Sequence, residues 1–372
     1  MFGTHIRRAV RLAIALAAVT LLAGACATTD DGGGGGGGGG GAKKIALLLP
    51  ETKTARYEAA DRPLFEAKVK ELCSDCEIIY SNADQKADEQ QNQADAALTN
   101  GAKVMVLDPV DSASAASIVS KAKAQNVPVI SYDRLITGAD VDYYISFDNE
   151  KVGKLQAESL VSKLKEDGKS SGSIVMINGA PTDNNAKLFK AGAHSVLDSS
   201  GFKVGKEYDT PDWSPDKAQD EMDQAITALG KNGFVGVYAA NDGTGGGAIA
   251  AMKGAGIDPS SRPTTGQDAE LAAIQRILEG EQYMTVYKAI KPEAEKAAEL
   301  AVNLINGNRG AADALATSKV NNGQKDVASI LLEPVAVTKD NVKDTIIKDN
   351  FHPVDKICAG AAASACQAAG IS

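Results

Sequence analysis

From residue 43 onward, short apolar or β-branched runs alternate with longer stretches whose apolar residues recur at helical spacing. The runs at 45–49, 77–80, 104–107 and 127–132 predict strands, and the stretches 57–72, 87–100 and 112–125 predict amphipathic helices. Intervals of this length between strands suit βαβ units and a parallel sheet. A second extended run then feeds a new helix at Asn149, and the alternation restarts. Helices are expected over 151–165, 183–197, 215–229, 247–255 and 271–278, with strands over 173–177, 203–208, 233–239, 264–268 and 284–287. The pattern therefore predicts an α/β protein with two βα domains of similar size that meet in the stretch 127–154.

Polar residues follow the strand ends: Asp108, Asp133 and Arg134 in the first half, then Asn178, Asn241, Asp242 and Asp268, with Lys288 after Tyr287. In an open α/β sheet those positions border the binding crevice. Asp133 accepts paired hydrogen bonds and Arg134 donates them in a planar fork, which suits the vicinal hydroxyls of a sugar. A turn carrying a surface ion pair is the plainer alternative. Trp213, the single tryptophan, lies in a loop, where its ring can cover the C–H face of a pyranose. The run from Gly243 to Ala248 matches G-x-G-x-x-A, and Asp268 follows at the distance of a ribose contact. It sits late in the second half, so a tight turn and close helix packing is the preferred reading of its glycines over a dinucleotide site.

The chain has 372 residues, 44% hydrophobic and 23% charged, enough to bury two sizeable cores. Its beginning changes the picture. Residues 1–25 read as a secretion signal, with Arg7, Arg8 and Arg11 before an apolar core over 12–22 that is short for a membrane span. The segment ends in Leu22-Ala23-Gly24-Ala25-Cys26, which resembles a bacterial lipoprotein processing box with Cys26 as the lipidated residue; ordinary cleavage leaving a free Cys26 is the alternative. Unbroken glycine over 32–41 forms a flexible tether with a reach of roughly 20 Å. Losing the signal moves the net charge from -9 to -12, because it holds three arginines and no acid. Such acidity argues against nucleic acid or anionic lipid as partner. The remaining cysteines form two local pairs, Cys73 with Cys76 and Cys358 with Cys366, for which disulfides are the economical reading outside the cytoplasm. A redox CxxC or half a zinc site lacks its partner signals, and three histidines give little basis for a metal centre, so no metal is expected.

Long blocks, among them YDRLITGADVDYYISFDNEKVGKLQAESLV, PTDNNAKLFKAG, AANDGTGGGAIAAM, GQDAELAAIQRI, MTVYKAI and NNGQKDVASILLEPVAVTKDNVKDTIIKDNFH, resemble the D-xylose-binding proteins of bacterial ABC sugar importers, within the ribose- and galactose-binding type I solute-binding proteins. The resemblance spans residues 43–352. It implies a periplasmic-binding-protein-like fold: two Rossmann-like lobes with parallel sheets, three crossings between them, and a monosaccharide, D-xylose first, held in the cleft. By matched motif it implies Asp133 and Arg134, Asp183 and Asn185, Asn241, Asp268 and Lys288 as ligand contacts, with Trp213 stacked on the ring and Arg56 and Tyr57 reaching in from the first βα loop. Asp183 is equally suited to cap the helix after it.

The expected organisation is a lipoprotein signal peptide at 1–25, a lipidated Cys and tether at 26–42, a first lobe from 43–147 with 288–320, a second from 148–287 with 321–350, and a tail at 351–372 carrying a disulfide. The implied partner is the transmembrane permease of an ABC importer, with a monomer anchored outside the cytoplasm and no cofactor. Rival expectations are a sugar sensor signalling to a membrane receptor, a binder of another pentose or of a hexose such as glucose, a glycosidase using two of Asp133, Asp183 and Asp268, and a sugar-regulated repressor, which needs a DNA-reading module at the N-terminus, where this chain reads as a signal and a glycine tether.

Overall fold

The computed structural model describes residues 42–371; the expected signal segment, Cys26 and the glycine run lie outside them. The first βα series comprises β1 (Lys43–Leu49), α1 (Arg62–Leu72), β2 (Cys76–Asn82), α2 (Ala87–Thr99), β3 (Val104–Leu107), α3 (Ala116–Ala124), β4 (Val129–Tyr132) and β5 (Tyr143–Phe147). The second comprises α4 (Asn149–Glu166), β6 (Ser173–Asn178), α5 (Asn184–Leu197), β7 (Lys203–Asp209), α6 (Pro215–Leu229), β8 (Gly236–Ala239), α7 (Asp242–Gly254), α8 (Leu271–Glu279) and β9 (Met284–Tyr287). There follow α9 (Ile290–Ile305), α10 (Arg309–Leu315), β10 (Ser318–Asn321), β11 (Asp326–Leu332), β12 (Val335–Thr338), α11 (Val354–Ile357) and α12 (Ala362–Ala368).

Seven strands form the first sheet in the order β10-β11-β5-β4-β3-β1-β2, all pairings parallel except β10 with β11. Every residue of β3 and β4 is buried, as strands covered on both faces must be. The period of two sends Leu47, Val106 and Ile145 against α1 and α9, while Leu48, Met105 and Val129 pack on α2 and α3. In the second lobe β7-β6-β8 form a parallel sheet, with Ile174 and Met176 on one core and Val175 and Ile177 on the other. β9 and β12 pair antiparallel beside it.

The chain passes between the sheets three times, after β5, after β9 and after β11. The third crossing corrects the boundary expected at 320/321: β11 pairs with β5 in the first sheet, Leu332 opposite Phe147, so the chain leaves only after Leu332. Element boundaries also differ from expectation, most at three places. Residues 57–72 are a five-residue π turn (Tyr57–Asp61) followed by α1, in place of one helix. The expected strand over 264–268 is two isolated bridges, Val237 with Thr264 and Gln267 with Val286, because Asp268 and Ala269 turn to φ 95° and 51°. Helix α7 starts at Asp242, five residues early, since Asn241 and Thr244 form a capping box that carries it through the glycines. A Cβ at Gly247 would lie 2.2 Å from the Pro215 carbonyl oxygen, so glycine there permits α7 to lie against α6. The tail packs Ile357, Cys366 and Ile371 on Ile274, Ile277 and Leu278 of α8. Within the two cysteine pairs the sulphurs lie 1.96 Å (Cys73, Cys76) and 2.09 Å (Cys358, Cys366) apart.

Candidate ligand-binding cleft

The carboxyl ends of the strands of both sheets converge on one cavity. From the first lobe come Thr54 and Tyr57, after β1, and Asp133 and Arg134, after β4; from the second come Asp183, Asn185, Phe189, Trp213, Asn241, Gln267 and Asp268. Lys288, at the second crossing, closes the ring. Nine of the ten residues expected from the sequence line this cavity. The tenth, Arg56, lies one layer behind: Asp61 receives two of its hydrogen bonds at 2.9 and 2.6 Å and Glu293 a third at 2.6 Å, with Asp133 Oδ1 3.3 Å away. Arg56 thus supports Asp133, and its Nη1 keeps no hydrogen-bond partner of its own.

Asp133 occupies a left-handed conformation at the end of β4, φ 52°, which turns its carboxylate into the cleft. Tyr57 donates to its Oδ2 at 3.0 Å, and Lys288 Nζ stands 3.5 Å from its Oδ1 and 3.4 Å from Asp268 Oδ1. Neither Oδ1 has a hydrogen-bond donor of its own, nor does Gln267 Oε1. Buried acceptors of this kind call for a donor, and a ligand hydroxyl supplies one. Asp183 caps α5, as weighed from the sequence, accepting from the Asn185 N–H at 2.8 Å, and also accepts from Trp213 Nε1 at 3.1 Å on the cavity wall. Trp213 is held edge to face with Phe189, ring centroids 6.3 Å apart, and its six-membered ring lies over Gly179, where a Cβ would come within 1.9 Å. Asn185 is turned inward, donating to the Asp133 carbonyl oxygen at 3.0 Å while accepting from Asn149.

Around this cavity seven buried carboxyl groups (Glu51, Asp61, Asp108, Asp133, Asp183, Asp268, Glu293) face three buried cations (Arg56, Arg134, Lys288). The imbalance separates their titrations. Burial pushes the Asp133 carboxyl up, but Arg56, Lys288 and Arg134 outweigh it and hold the group well below the ordinary carboxylate range. Burial dominates at Asp108, driven well up despite Arg134, and at Glu293, pushed up to about 8 against the pull of Arg56. Burial would discharge Lys288, yet Asp133 and Asp268 raise it and keep it an ammonium. Asp133 is thus a fixed anionic acceptor beside a fixed cationic donor, the arrangement that binds neutral polyols by charge-assisted hydrogen bonds.

The lobes also touch directly. Ser112 donates from its N–H to the Thr182 carbonyl and accepts from the Asn184 N–H, both at 3.0 Å. Gln85 Nε2 reaches the Asp212 carbonyl at 3.1 Å, and Arg134 Nε stands 3.0 Å from Asp183. Thr54, Phe189 and Gln267 were not foreseen from the sequence. Two had a signal: Gln267 precedes Asp268, and Phe189 lies one helical turn beyond Asn185. The G-x-G-x-x-A glycines do not line the cavity, and at Gly247 the close approach of the Pro215 carbonyl oxygen agrees with the packing role expected of them.

These lobes, crossings and cleft define a two-lobe binding protein. The model of the periplasmic binding protein domain matches residues 45–309, and the chain belongs to that family. It is 41% identical over 313 residues to the D-xylose-binding periplasmic protein of Escherichia coli (strain K12), covering 83% of this chain and 91% of that one. To the D-xylose-binding periplasmic protein of Haemophilus influenzae it is 40% identical, covering 84% and 92%. Among solved structures, an ABC transporter solute binding protein from Clostridium phytofermentans with bound β-D-glucose superposes with a TM-score of 0.77 at 27% identity, covering 85% of this chain and all of that one.

Proposed function

We propose that the chain captures a monosaccharide, D-xylose, between its lobes outside the cytoplasm and delivers it to the permease of an ABC importer. It makes and breaks no bond. The observation that carries the reading is the pair of buried carboxylates, Asp133 and Asp268, one from each lobe, bridged by Lys288 beneath the Trp213 and Phe189 walls. Hydroxyls match the first three and the apolar C–H face of a pyranose matches the rings. A wrong epimer leaves a buried partner unpaired at a cost of roughly 1–3 kcal/mol, or one to two orders of magnitude in affinity. Sugar held by both lobes stabilises the closed state, the form in which both lobe surfaces meet the permease. D-glucose is the second candidate, because the Clostridium protein holds it.

The same proposal includes a monomer, processed after residue 25 and anchored through a lipid on Cys26, with both cysteine pairs oxidised; Cys26→Ser is expected to release the protein from the membrane fraction of cells. Titration calorimetry against D-xylose, D-glucose, L-arabinose, D-ribose and D-galactose tests the ligand. D-xylose is expected to bind tightest, and Asp268→Ala to abolish its heat; absence of binding by all five sugars removes the ligand assignment.

A further inference from the structure

Asp268 and Ala269 are consecutive non-glycine residues at positive φ, 95° and 51°. Such conformations persist only where the surroundings over-determine them. β9 supplies part of the hold: the Asp268 N–H donates to the Val286 carbonyl at 2.9 Å and the Ala269 N–H to Thr285 Oγ1 at 3.2 Å. The other side of the turn is held from the tail. His352 Nε2 stands 2.8 Å from the Ala269 carbonyl oxygen, so it carries the proton and donates. The His352 ring meets Phe351 edge to face at 4.7 Å, and Phe351 meets Tyr287 in the same way at 5.0 Å. Tyr287 in turn donates its hydroxyl to Asp349 at 3.1 Å, and the next residue is Lys288. The segment therefore stands behind two cleft residues at once, Asp268 and Lys288, without lining the cleft.

Its own footing is firm. Ile357, Cys366 and Ile371 are buried on α8, the helix that begins just after Glu270, and Gln275 of that helix donates to the Lys356 carbonyl at 3.0 Å. Local closure through Cys358 and Cys366 shortens the reach over which this footing can fray.

We propose that residues 349–371 form a brace for the binding cleft, in which His352, acting through the Ala269 carbonyl, fixes the direction of the Asp268 carboxylate. The proposal rests on the sugar-binding reading for what Asp268 does, and on the turn geometry alone for what His352 does. His352 is a positioning residue: it touches no ligand.

Two variants separate positioning from mere packing. His352→Phe keeps an aromatic ring against Phe351 and removes the donor, whereas His352→Gln keeps an N–H donor of similar reach. With D-xylose as the titrant, His352→Phe is expected to raise Kd by about tenfold or more, and His352→Gln to stay within about threefold of the unaltered protein. Without any ligand, amide hydrogen exchange at Asp268, Ala269 and Glu270 is expected to quicken about tenfold in His352→Phe and to be restored in His352→Gln. Unchanged exchange in His352→Phe overturns the brace whether or not any sugar binds, as does a Gln variant that behaves like Phe. If no sugar binds the unaltered protein while exchange responds as expected, the ligand assignment falls and the brace stands.

Discussion

Adding one methyl group at Gly179 isolates the contribution of the Trp213 wall. A Cβ there would lie 1.9 Å from Trp213 Cη2, against an ordinary contact of 3.4 Å or more, so in Gly179→Ala the indole must retreat by about 1.5 Å. That movement pulls Nε1 from Asp183, now 3.1 Å away, and tilts the ring from the cleft. Losing a hydrogen bond to a charged group costs about 1.5–3 kcal/mol and losing aromatic cover about 0.5–1.5, so sugar affinity falls by about 2–4.5 kcal/mol, a factor of roughly 30 to 2,000. Calorimetry with D-xylose reads the loss. Trp213 is the only tryptophan, so its emission reports the displacement separately, as a red shift in the unbound protein. Because the methyl acts only through Trp213, Gly179→Ala should add less than about threefold in a Trp213→Ala background. Additive losses, or xylose affinity in Gly179→Ala within about threefold of the unaltered protein, refute the reasoning.

Glu270 is pushed up to about 8, chiefly by burial and then by Asp242 and Asp268. Its folded value lies above the unfolded one of about 4.3, so its contribution to stability is full below pH 4 and is lost as pH rises through 8. Glu270→Gln is therefore expected to gain in melting temperature, relative to the unaltered protein, between pH 5 and pH 8.5; a difference independent of pH counts against it. The doubled substitution Cys358→Ser with Cys366→Ser should lower unfolding free energy by about 2–4 kcal/mol in urea, and reductant should act on the unaltered protein in the same way. Gly247→Ala, which sets a methyl 2.2 Å from the Pro215 carbonyl oxygen, should destabilise by about 1–3 kcal/mol with xylose affinity little changed.

What the sequence disclosed was whatever depends on near neighbours. Apolar periodicity placed nearly every strand and helix as far as β9, and polar residues after strand ends marked the cleft because parallel sheets direct those ends to one side. The places of Asp133, Asp268 and Lys288 on the cavity wall follow from that rule with the matched motifs. The anchoring of Arg56 was not legible because its partner Glu293 lies 237 residues away and no local pattern announces the pair. Gly179 passed unnoticed for a similar reason: nothing around it indicates that the ring of Trp213 lies over it. The third crossing was misplaced because β10 and β11 look like any hairpin, and only pairing with β5 assigns them to the first sheet.

That pairing sets a timetable for synthesis. β11 lies inside the seven-stranded sheet, between β10 and β5, yet follows β5 by about 180 residues. At roughly 5–20 residues per second the ribosome needs on the order of 10–35 s to supply it, and throughout that interval β5 presents an unfilled edge. The first lobe thus completes its sheet only when nearly the whole chain exists.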